Sequence, residues 1–257
     1  MTNLCIVGAM GRMGNNVGSL AASFGFTVSG ALEFKGSPNV GKAFCGVNVT
    51  DDIEVALQGA DVVIEFALPD GIAERAAAYA AHKIPAVIGT TGVSEEGLSA
   101  LKEASAAIPL IHAANFSLGV NLLGELLKKA SAVLGEEYDA EIVEMHHHNK
   151  KDAPSGTALY LAKMVESGRG VGKEKEIYGR FGNVGARPSG EIAIHSLRGG
   201  DVVGDHTVIF AADGERIEFT HKATSRANFA SGALRAAKYL IGKEPGLYTM
   251  ADVIGLN

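Results

Sequence analysis

Two periods alternate along the chain. Residues 3–7 form a short, continuous apolar run, the pattern of a buried strand. A glycine-rich break follows, then apolar positions at helical spacing to about Ser23, and a second strand over 27–32 that ends at Glu33. The exchange repeats as a short helix over 51–57, a strand over 61–66 and a helix opened by Pro69 that runs to about His82. A strand over 86–89, a helix over 94–105 and a strand over 109–112 complete it. The Ser-Glu-Glu start of the 94–105 helix suits its dipole. Strands alternating with helices predict an α/β fold with a Rossmann-type, doubly wound parallel sheet.

After Ser117 the pattern changes. A long amphipathic helix is predicted over 120–134, with Lys128 and Lys129 outward, then a strand over 138–146. Ala158, Leu159, Leu161, Ala162 and Val165 have helical spacing. Residues 166–190 are rich in Gly, Lys and Glu without a period and read as a long loop. Strands over 191–197 and 202–212 lead to Asp213-Gly214, a hairpin signal. The next strand alternates Arg216, Glu218, Thr220 and Lys222 against Ile217, Phe219 and His221. One polar and one apolar face predict an open, mainly antiparallel sheet in a smaller α+β domain. Such a sheet packs against a copy of itself, so an oligomer is expected. A helix over 229–241 and an apolar tail should pack back onto the first domain. The expected division is 1–117 completed by 227–257, with 118–226 as the second domain. The chain then crosses a hinge near Ser117 and near Arg226, which puts Arg226 at the mouth of the cleft.

Composition narrows the class. The 257 residues are 47% hydrophobic, enough for two modest cores, and the net charge of −6 argues against a nucleic-acid or membrane-surface binder. No apolar run approaches the ~20 residues of a membrane helix. A strand already over 3–7 leaves no room for a signal peptide, and two isolated cysteines suggest reduced thiols, so a cytoplasmic location is expected.

Candidate chemistry sits at two places. Gly8-Ala9-Met10-Gly11-Arg12-Met13-Gly14 lies between a strand and a helix, a GxxGxxG variant of the dinucleotide-binding loop. Gly8 allows the tight exit, Gly11 the approach of a pyrophosphate, and Gly14 close packing of helix on sheet. Glu33, 19 residues after Gly14, stands where an acid meets ribose hydroxyls. Three further segments fall at predicted strand ends: Glu65-Phe66-Ala67, Gly89-Thr90-Thr91-Gly92 and Ala113-Ala114-Asn115-Phe116-Ser117. Ligands bind at such ends.

The second place is His146-His147-His148-Asn149-Lys150-Lys151-Asp152-Ala153-Pro154-Ser155-Gly156-Thr157, a strand-to-helix loop. Asp152 or Ala153 can cap the helix, Pro154 suits its first position, and Gly156 and Thr157 offer N–H groups to an anion. Strand alternation puts His147 opposite His146 and His148, so the three histidines do not close on one ion. There is no HExxH spacing either, and no metal is expected. Histidines, lysines and an anion-binding helix start together point to an active site.

With these residues assembled, the chain resembles the dihydrodipicolinate reductase (4-hydroxy-tetrahydrodipicolinate reductase) family from end to end. The most specific part is Glu144-Met145-His146-His147-His148-Asn149-Lys150 followed by Asp152-Ala153-Pro154-Ser155-Gly156-Thr157. The resemblance implies hydride transfer from NADH or NADPH to a small cyclic dicarboxylate in lysine and diaminopimelate biosynthesis, by a homotetramer. It implies His146 as catalytic histidine and Lys150 as proton donor, with His146 the alternative acid or a relay. It implies His147, Gly156, Thr157 and Arg226 as substrate contacts. Gly8, Ala9, Met10, Gly11, Arg12 and Met13, with Glu33, Phe66, Gly89, Thr90, Thr91, Ala113, Ala114, Asn115 and Phe116, take cofactor positions.

Two departures stand out. His148-Asn149 replaces the Arg-His of many members, removing a permanent cation. Phe34 follows Glu33 where many members carry an Arg for the 2′-phosphate of NADP. A phenyl ring donates no hydrogen bond, and Glu33 repels a 2′-phosphate, so NADH should serve at least as well as NADPH. Lys35 and Arg12 remain as partial substitutes. Two rival readings are another nicotinamide-dependent dehydrogenase of a small amino or semialdehyde acid, and a non-catalytic NAD(H) sensor. The first does not need the 146–157 run, and the second would expect Lys150 to be lost.

Overall fold

The computed structural model describes residues 1–256. The chain divides into two compact units, one of Met1–Leu118 with the segment from Arg226 onward, the other Gly119–Ser225. In chain order the first unit begins β1 (Thr2–Val7), α1 (Arg12–Ala21), β2 (Phe26–Leu32), and a small hairpin of β3 (Ala43–Phe44) and β4 (Val47–Asn48). It continues α2 (Ile53–Leu57), β5 (Val62–Glu65), α3 (Ile72–Ala81), β6 (Ala86–Ile88), α4 (Glu95–Ser105) and β7 (Pro109–His112). Helix α5 (Leu118–Leu134) leads into β8 (Asp139–His146), α6 (Gly156–Arg169), β9 (Glu176–Tyr178), β10 (Ile192–Arg198), β11 (Gly204–Ala212) and β12 (Glu215–Ala223). The chain then adds α7 (Ala227–Leu240), β13 (Gly246–Tyr248) and α8 (Met250–Ile254).

The first unit holds a six-stranded sheet, order β13-β7-β6-β5-β1-β2, with every pairing parallel. Strand β1 is apolar and buried from Leu4 to Val7 because both faces are covered there. Leu4 and Ile6 pack with Val17 of α1 and Leu234 of α7, whereas Cys5 and Val7 pack with Leu57 of α2, Tyr79 of α3 and Leu101 of α4. The expected parallel α/β sheet is therefore present. Its edge strand β13 is three residues long and has no period by which the sequence could announce it. Helix α3 starts at Ile72, three residues later than Pro69 suggests, because Pro69-Asp70-Gly71 forms a turn with Gly71 at φ +73°.

The second unit holds a five-stranded sheet, order β12-β11-β8-β10-β9. The β12–β11 and β11–β8 pairings are antiparallel, as the hairpin signal implies, but β8–β10 and β10–β9 are parallel. "Mainly antiparallel" thus describes only the β8–β11–β12 half. The other half is parallel because the α6 crossover returns the chain to run β10 alongside β8. Helices α5 and α6 cover one face, where Leu123, Leu127, Leu161 and Val165 meet Ile142, Ile194, Val208 and Phe210. The 166–190 stretch is not all loop: α6 extends to Arg169, and β9 extends the sheet at its edge.

Candidate active site

In the first unit, backbone hydrogen bonds tie the strand ends together in a row. Phe66 N donates to Val7 O (2.9 Å), Gly89 N to Glu65 O (2.7 Å) and Ala113 N to Ile88 O (3.1 Å). Gly8 adopts φ +77°, and a Cβ there would lie 2.5 Å from Phe66 O, so the glycine loop sits directly on the end of β5. The Phe66 ring covers Gly89 so closely that a Cβ would be 2.1 Å from it, and it meets Phe116 edge-on at 5.8 Å. The residues carrying the cofactor expectation from Gly8, Phe66, Gly89 and Phe116 are therefore neighbours.

Their side chains do not all face outward. Ala9 is fully buried in the core and can offer only backbone. Gly8 N and Ala9 N both donate to Leu32 O, and Gly11 N to Gly8 O. The N–H groups left to an anion are those of the first turn of α1, which opens at Arg12 and Met13 behind Gly11, a cap without a side chain. Glu33 Oε1 accepts from Met10 N at 2.8 Å, so the acid that ends β2 also braces the glycine loop. Phe34 is 61% exposed beside it, and Lys35 and Arg12 are exposed as well.

Below this surface lies a network the sequence reading missed. Glu65 is fully buried and accepts from Arg75 (Nη2, 2.8 Å; Nε, 3.2 Å), Tyr79 (2.6 Å) and Thr90 (2.9 Å). Arg75 also donates to Leu68 O and Asp70 O, fixing the loop after Phe66. Burial and the neighbouring Glu65 carboxylate push the Tyr79 hydroxyl well above its usual pKa, so it stays a donor.

In the second unit, β8 ends at His146 and the next residues turn away, so His148 does not continue the alternation. The turn is pinned by His147 N to Val202 O (2.7 Å), His148 N to Gly200 O (3.2 Å) and Gly199 N to His146 O (2.9 Å). His147 Nδ1 is buried without a hydrogen-bond partner among the described residues. Lys150 Nζ lies 2.9 Å from Asp152 Oδ2, and its charge holds the Asp152 carboxyl below the usual range. Helix α6 is capped by Ser155, whose hydroxyl accepts from Ala158 N (3.1 Å). The cap is therefore neither Asp152 nor Ala153, and Pro154 lies outside the helix. Gly156 and Thr157 become its first two residues, at the positive end of the helix dipole. Arg226 belongs to the first unit, at the start of α7, and makes no side-chain capping bond.

His146 is 8% exposed and Glu144, two residues earlier on the same face of β8, is 0% exposed. Nδ1 of His146 is 2.5 Å from Glu144 Oε2, and Arg198 reaches both carboxylate oxygens (2.9 and 3.0 Å). Burial alone would raise the Glu144 carboxyl, but the hydrogen bonds from Arg198 and His146 outweigh it and hold the group below the usual range. Burial lowers His146 despite the raising pull of Glu144. His206 stands edge-on to His146 at 5.1 Å, and burial drops it to about 4. Donor atoms of Glu144, His146 and His206 lie within 4.8 Å of one another, a spacing a metal could use. Both oxygens of this carboxylate are already engaged by the Arg198 guanidinium, which also adds positive charge, so the donor set suits a hydrogen-bonded relay better than a cation.

Two family models divide the chain between them. Residues 2–116 match the family model described as dihydrodipicolinate reductase, N-terminus, and residues 119–254 match the C-terminus model. A 4-hydroxy-tetrahydrodipicolinate reductase of Anaeromyxobacter dehalogenans (strain 2CP-C) is 47% identical over 267 residues, covering 100% of this chain and 99% of its own. One from Nitrosospira multiformis is 44% identical, covering 99% and 98%. A solved structure of dipicolinate-bound dihydrodipicolinate reductase from Paenisporosarcina sp. TG-14 superposes with a TM-score of 0.81 at 26% identity, covering 99% of each chain. No described helix is long and apolar enough to cross a membrane.

Proposed function

The chain belongs to the dihydrodipicolinate reductase family, and from that premise we infer that it reduces 4-hydroxy-tetrahydrodipicolinate to tetrahydrodipicolinate with NADH or NADPH. This places it in lysine and diaminopimelate biosynthesis. The observation that carries the reading is the convergence in the second unit of buried His146, Lys150, and the N-terminus of α6 at Gly156 and Thr157.

The site residues assigned below are our proposal. The first turn of α1 takes the pyrophosphate, Glu33 Oε2 the adenosine ribose, and the surface formed by Phe66, Gly89, Thr91 and residues 113–116 the nicotinamide. When bound, the dinucleotide supplies a hydride. Gly156 and Thr157 N–H groups, the Thr157 hydroxyl and His147 receive the two carboxylates of the substrate. The Paenisporosarcina relative's ligand, dipicolinate, is a dicarboxylate of that kind. Loss of the 4-hydroxyl with a proton from the adjacent ring carbon, as water, gives the conjugated imine, which on receiving the hydride would carry an enamine-like carbanion. Lys150 gives it a proton: an N–H bond breaks, a C–H bond forms, and a neutral amine remains, to be reprotonated from water. For this Lys150 must leave Asp152.

We further propose a cytoplasmic homotetramer in which a second copy covers the sheet face opposite α5 and α6, and use of NADH at least as effective as NADPH. The decisive experiment couples the upstream synthase, aspartate semialdehyde and pyruvate to this protein and follows absorbance of reduced cofactor. Protein-dependent consumption is expected. Cofactor binding without turnover would favour the sensor reading, and turnover only with another amino or semialdehyde acid the alternative dehydrogenase.

A further inference from the structure

The proposed reaction takes its proton from Lys150, and the buried groups around His146 indicate what that ring does instead. Strand β8 places Glu144 and His146 on one face because side chains two apart share a side. Strand β10 runs parallel to β8 with Ser196 opposite Glu144 and Arg198 opposite His146. That register brings the Arg198 fork onto the Glu144 carboxylate, Nη1 on Oε2 at 3.0 Å and Nη2 on Oε1 at 2.9 Å. A planar guanidinium suits such two-point contact, and it favours the ionised carboxylate. Ser155 N donates to Oε1 at 3.2 Å, and Arg198 Nη2 also reaches Asp152 O at 2.6 Å. The same arginine therefore ties the carboxylate to the loop that carries Lys150.

An ionised carboxylate only accepts hydrogen bonds. The nitrogen facing it, His146 Nδ1 at 2.5 Å, must therefore carry a proton. In the neutral ring the other nitrogen, Nε2, then has a bare lone pair. Nε2 packs beside Gly204, where an added Cβ would lie 2.9 Å away, so a larger residue at 204 would press on the ring. His206 stands edge-on at 5.1 Å and confines the ring from another side.

We propose that Glu144, held by Arg198, is a positioning residue that locks His146 in its Nδ1–H form and so makes it a hydrogen-bond acceptor in the reaction. A His146 that is neutral in this form has no proton on Nε2 to give, and the proton then reaches the substrate from Lys150. Nε2 accepts a hydrogen bond from the substrate or from the Lys150 ammonium. A neutral His146 beside that ammonium agrees with the downward pull that burial and the Lys150 charge exert on the ring. The proposal rests on the reductase reading for its consequence, but the tautomer itself is a property of the free protein.

The test uses full-length, cofactor-free protein labelled with ¹⁵N-histidine. Long-range ¹H–¹⁵N spectra are recorded between about pH 5.5 and 8.5, and a His146→Gln sample assigns the signal among the chain's 8 histidines. At pH 7 the expected pattern is a protonated Nδ1 and an unprotonated Nε2. In Glu144→Gln, whose amide can present N–H or O to the ring, the pattern should become mixed or reversed. The kcat–pH profile should shift, kcat should fall on the order of 10²-fold, and KM for the cofactor should stay within about twofold of native. Arg198→Lys, which keeps the charge and loses the fork, should give a partial version of each change. A native His146 that is Nε2–H, or positively charged at pH 7, overturns the proposal. A folded Glu144→Gln with an unchanged tautomer and pH profile also overturns it. If Glu144→Gln does not fold, the native spectrum decides alone. Failure of turnover in native protein with the expected spectrum would instead count against the reductase reading.

Discussion

Thr90 donates its hydroxyl to Glu65 across 2.9 Å, with both residues buried. A residue that the family resemblance places on the cofactor thus spends its side chain holding the sheet beneath the proposed cofactor surface, and has only backbone to offer upward. Thr90→Val keeps the shape and removes the donor. Glu65 still has Arg75 and Tyr79, so the cost should fall near the low end of ~1–3 kcal/mol, read as a lower urea midpoint, while KM for NADH changes less than about twofold. Arg75→Met, which leaves the buried carboxylate without its cation, should cost ~3–5 kcal/mol. Equal midpoints for the two variants would mean that the network does not carry its charge as described.

Glu33 faces the glycine loop and Phe34 faces solvent. Neither is suited to a 2′-phosphate. The ratio of kcat/KM for NADH to that for NADPH should be one or greater, and a tenfold preference for NADPH would defeat this. Phe34→Arg adds a donor fork at an open position. It should move the ratio toward NADPH by about tenfold, the worth of one charge-assisted contact of about 1.4 kcal/mol.

Lys150 Nζ lies 2.9 Å from Asp152 Oδ2. If Lys150 is the acid, Lys150→Ala should lower kcat by about 10²–10⁴-fold with little change in KM for the cofactor. Near-normal turnover would move the acid assignment to His146 and contradict its neutral form. Thr157→Val should instead act chiefly on substrate KM. Asp152→Asn, which releases the lysine, should leave kcat within a few-fold of native.

How far these residues could be found from sequence follows from what holds each in place. His146, Lys150, Gly156 and Thr157 are close in the chain, so a local pattern exposes them. Glu144 stood on the same strand face, and its alternation with His146 was a signal available but unused. Arg198 and His206 are joined to them only through the β8–β10 and β8–β11 registers, which depend on how the α6 crossover and the β10–β11 turn close. No local pattern encodes that. The α6 cap is ambiguous in the sequence because Asp152 and Ser155 both carry a capping oxygen and Pro154 suits a first helical position. The hydroxyl of Ser155 wins by reaching Ala158 N, while Asp152 is engaged by Lys150. The clean alternation of β12 was legible because one face meets water. The three-residue strands β9 and β13 were not, since they are too short to show a period.

The β8–β11 alternation leaves Val143, Met145 and Ile209 only partly covered on the face away from α5 and α6, with Leu197 half-exposed nearby. Light scattering should give a mass above that of one chain, a tetramer on the proposed assembly. Leu197→Lys should shift it toward smaller species, because a charge is costly in an apolar interface. A concentration-independent monomer mass for the native protein would rule the assembly out.

His206 makes stability in acid a direct readout of the buried histidine pair. Burial lowers it from 6.5 to about 4. Between these values the unfolded chain binds a proton that the folded chain refuses, so stability rises with pH across the window. The contribution is complete above the unfolded value and lost as pH falls toward 4. Its size is on the order of 3 kcal/mol, from 1.36 kcal/mol per pKa unit. His146 and His221 are lowered too and act in the same direction. Glu166, raised to about 7 by burial and by Glu176, acts oppositely, because its protonated form favours the fold and is lost as pH rises through 7. Comparing native protein with His206→Gln cancels the other groups to first order. Gln can still meet the Ser155 hydroxyl, which lies 3.1 Å from His206 Nε2. Urea midpoints measured from pH 7.5 down to 4.5 should fall more steeply for the native chain than for His206→Gln. Parallel slopes would show that His206 is not held neutral in the fold.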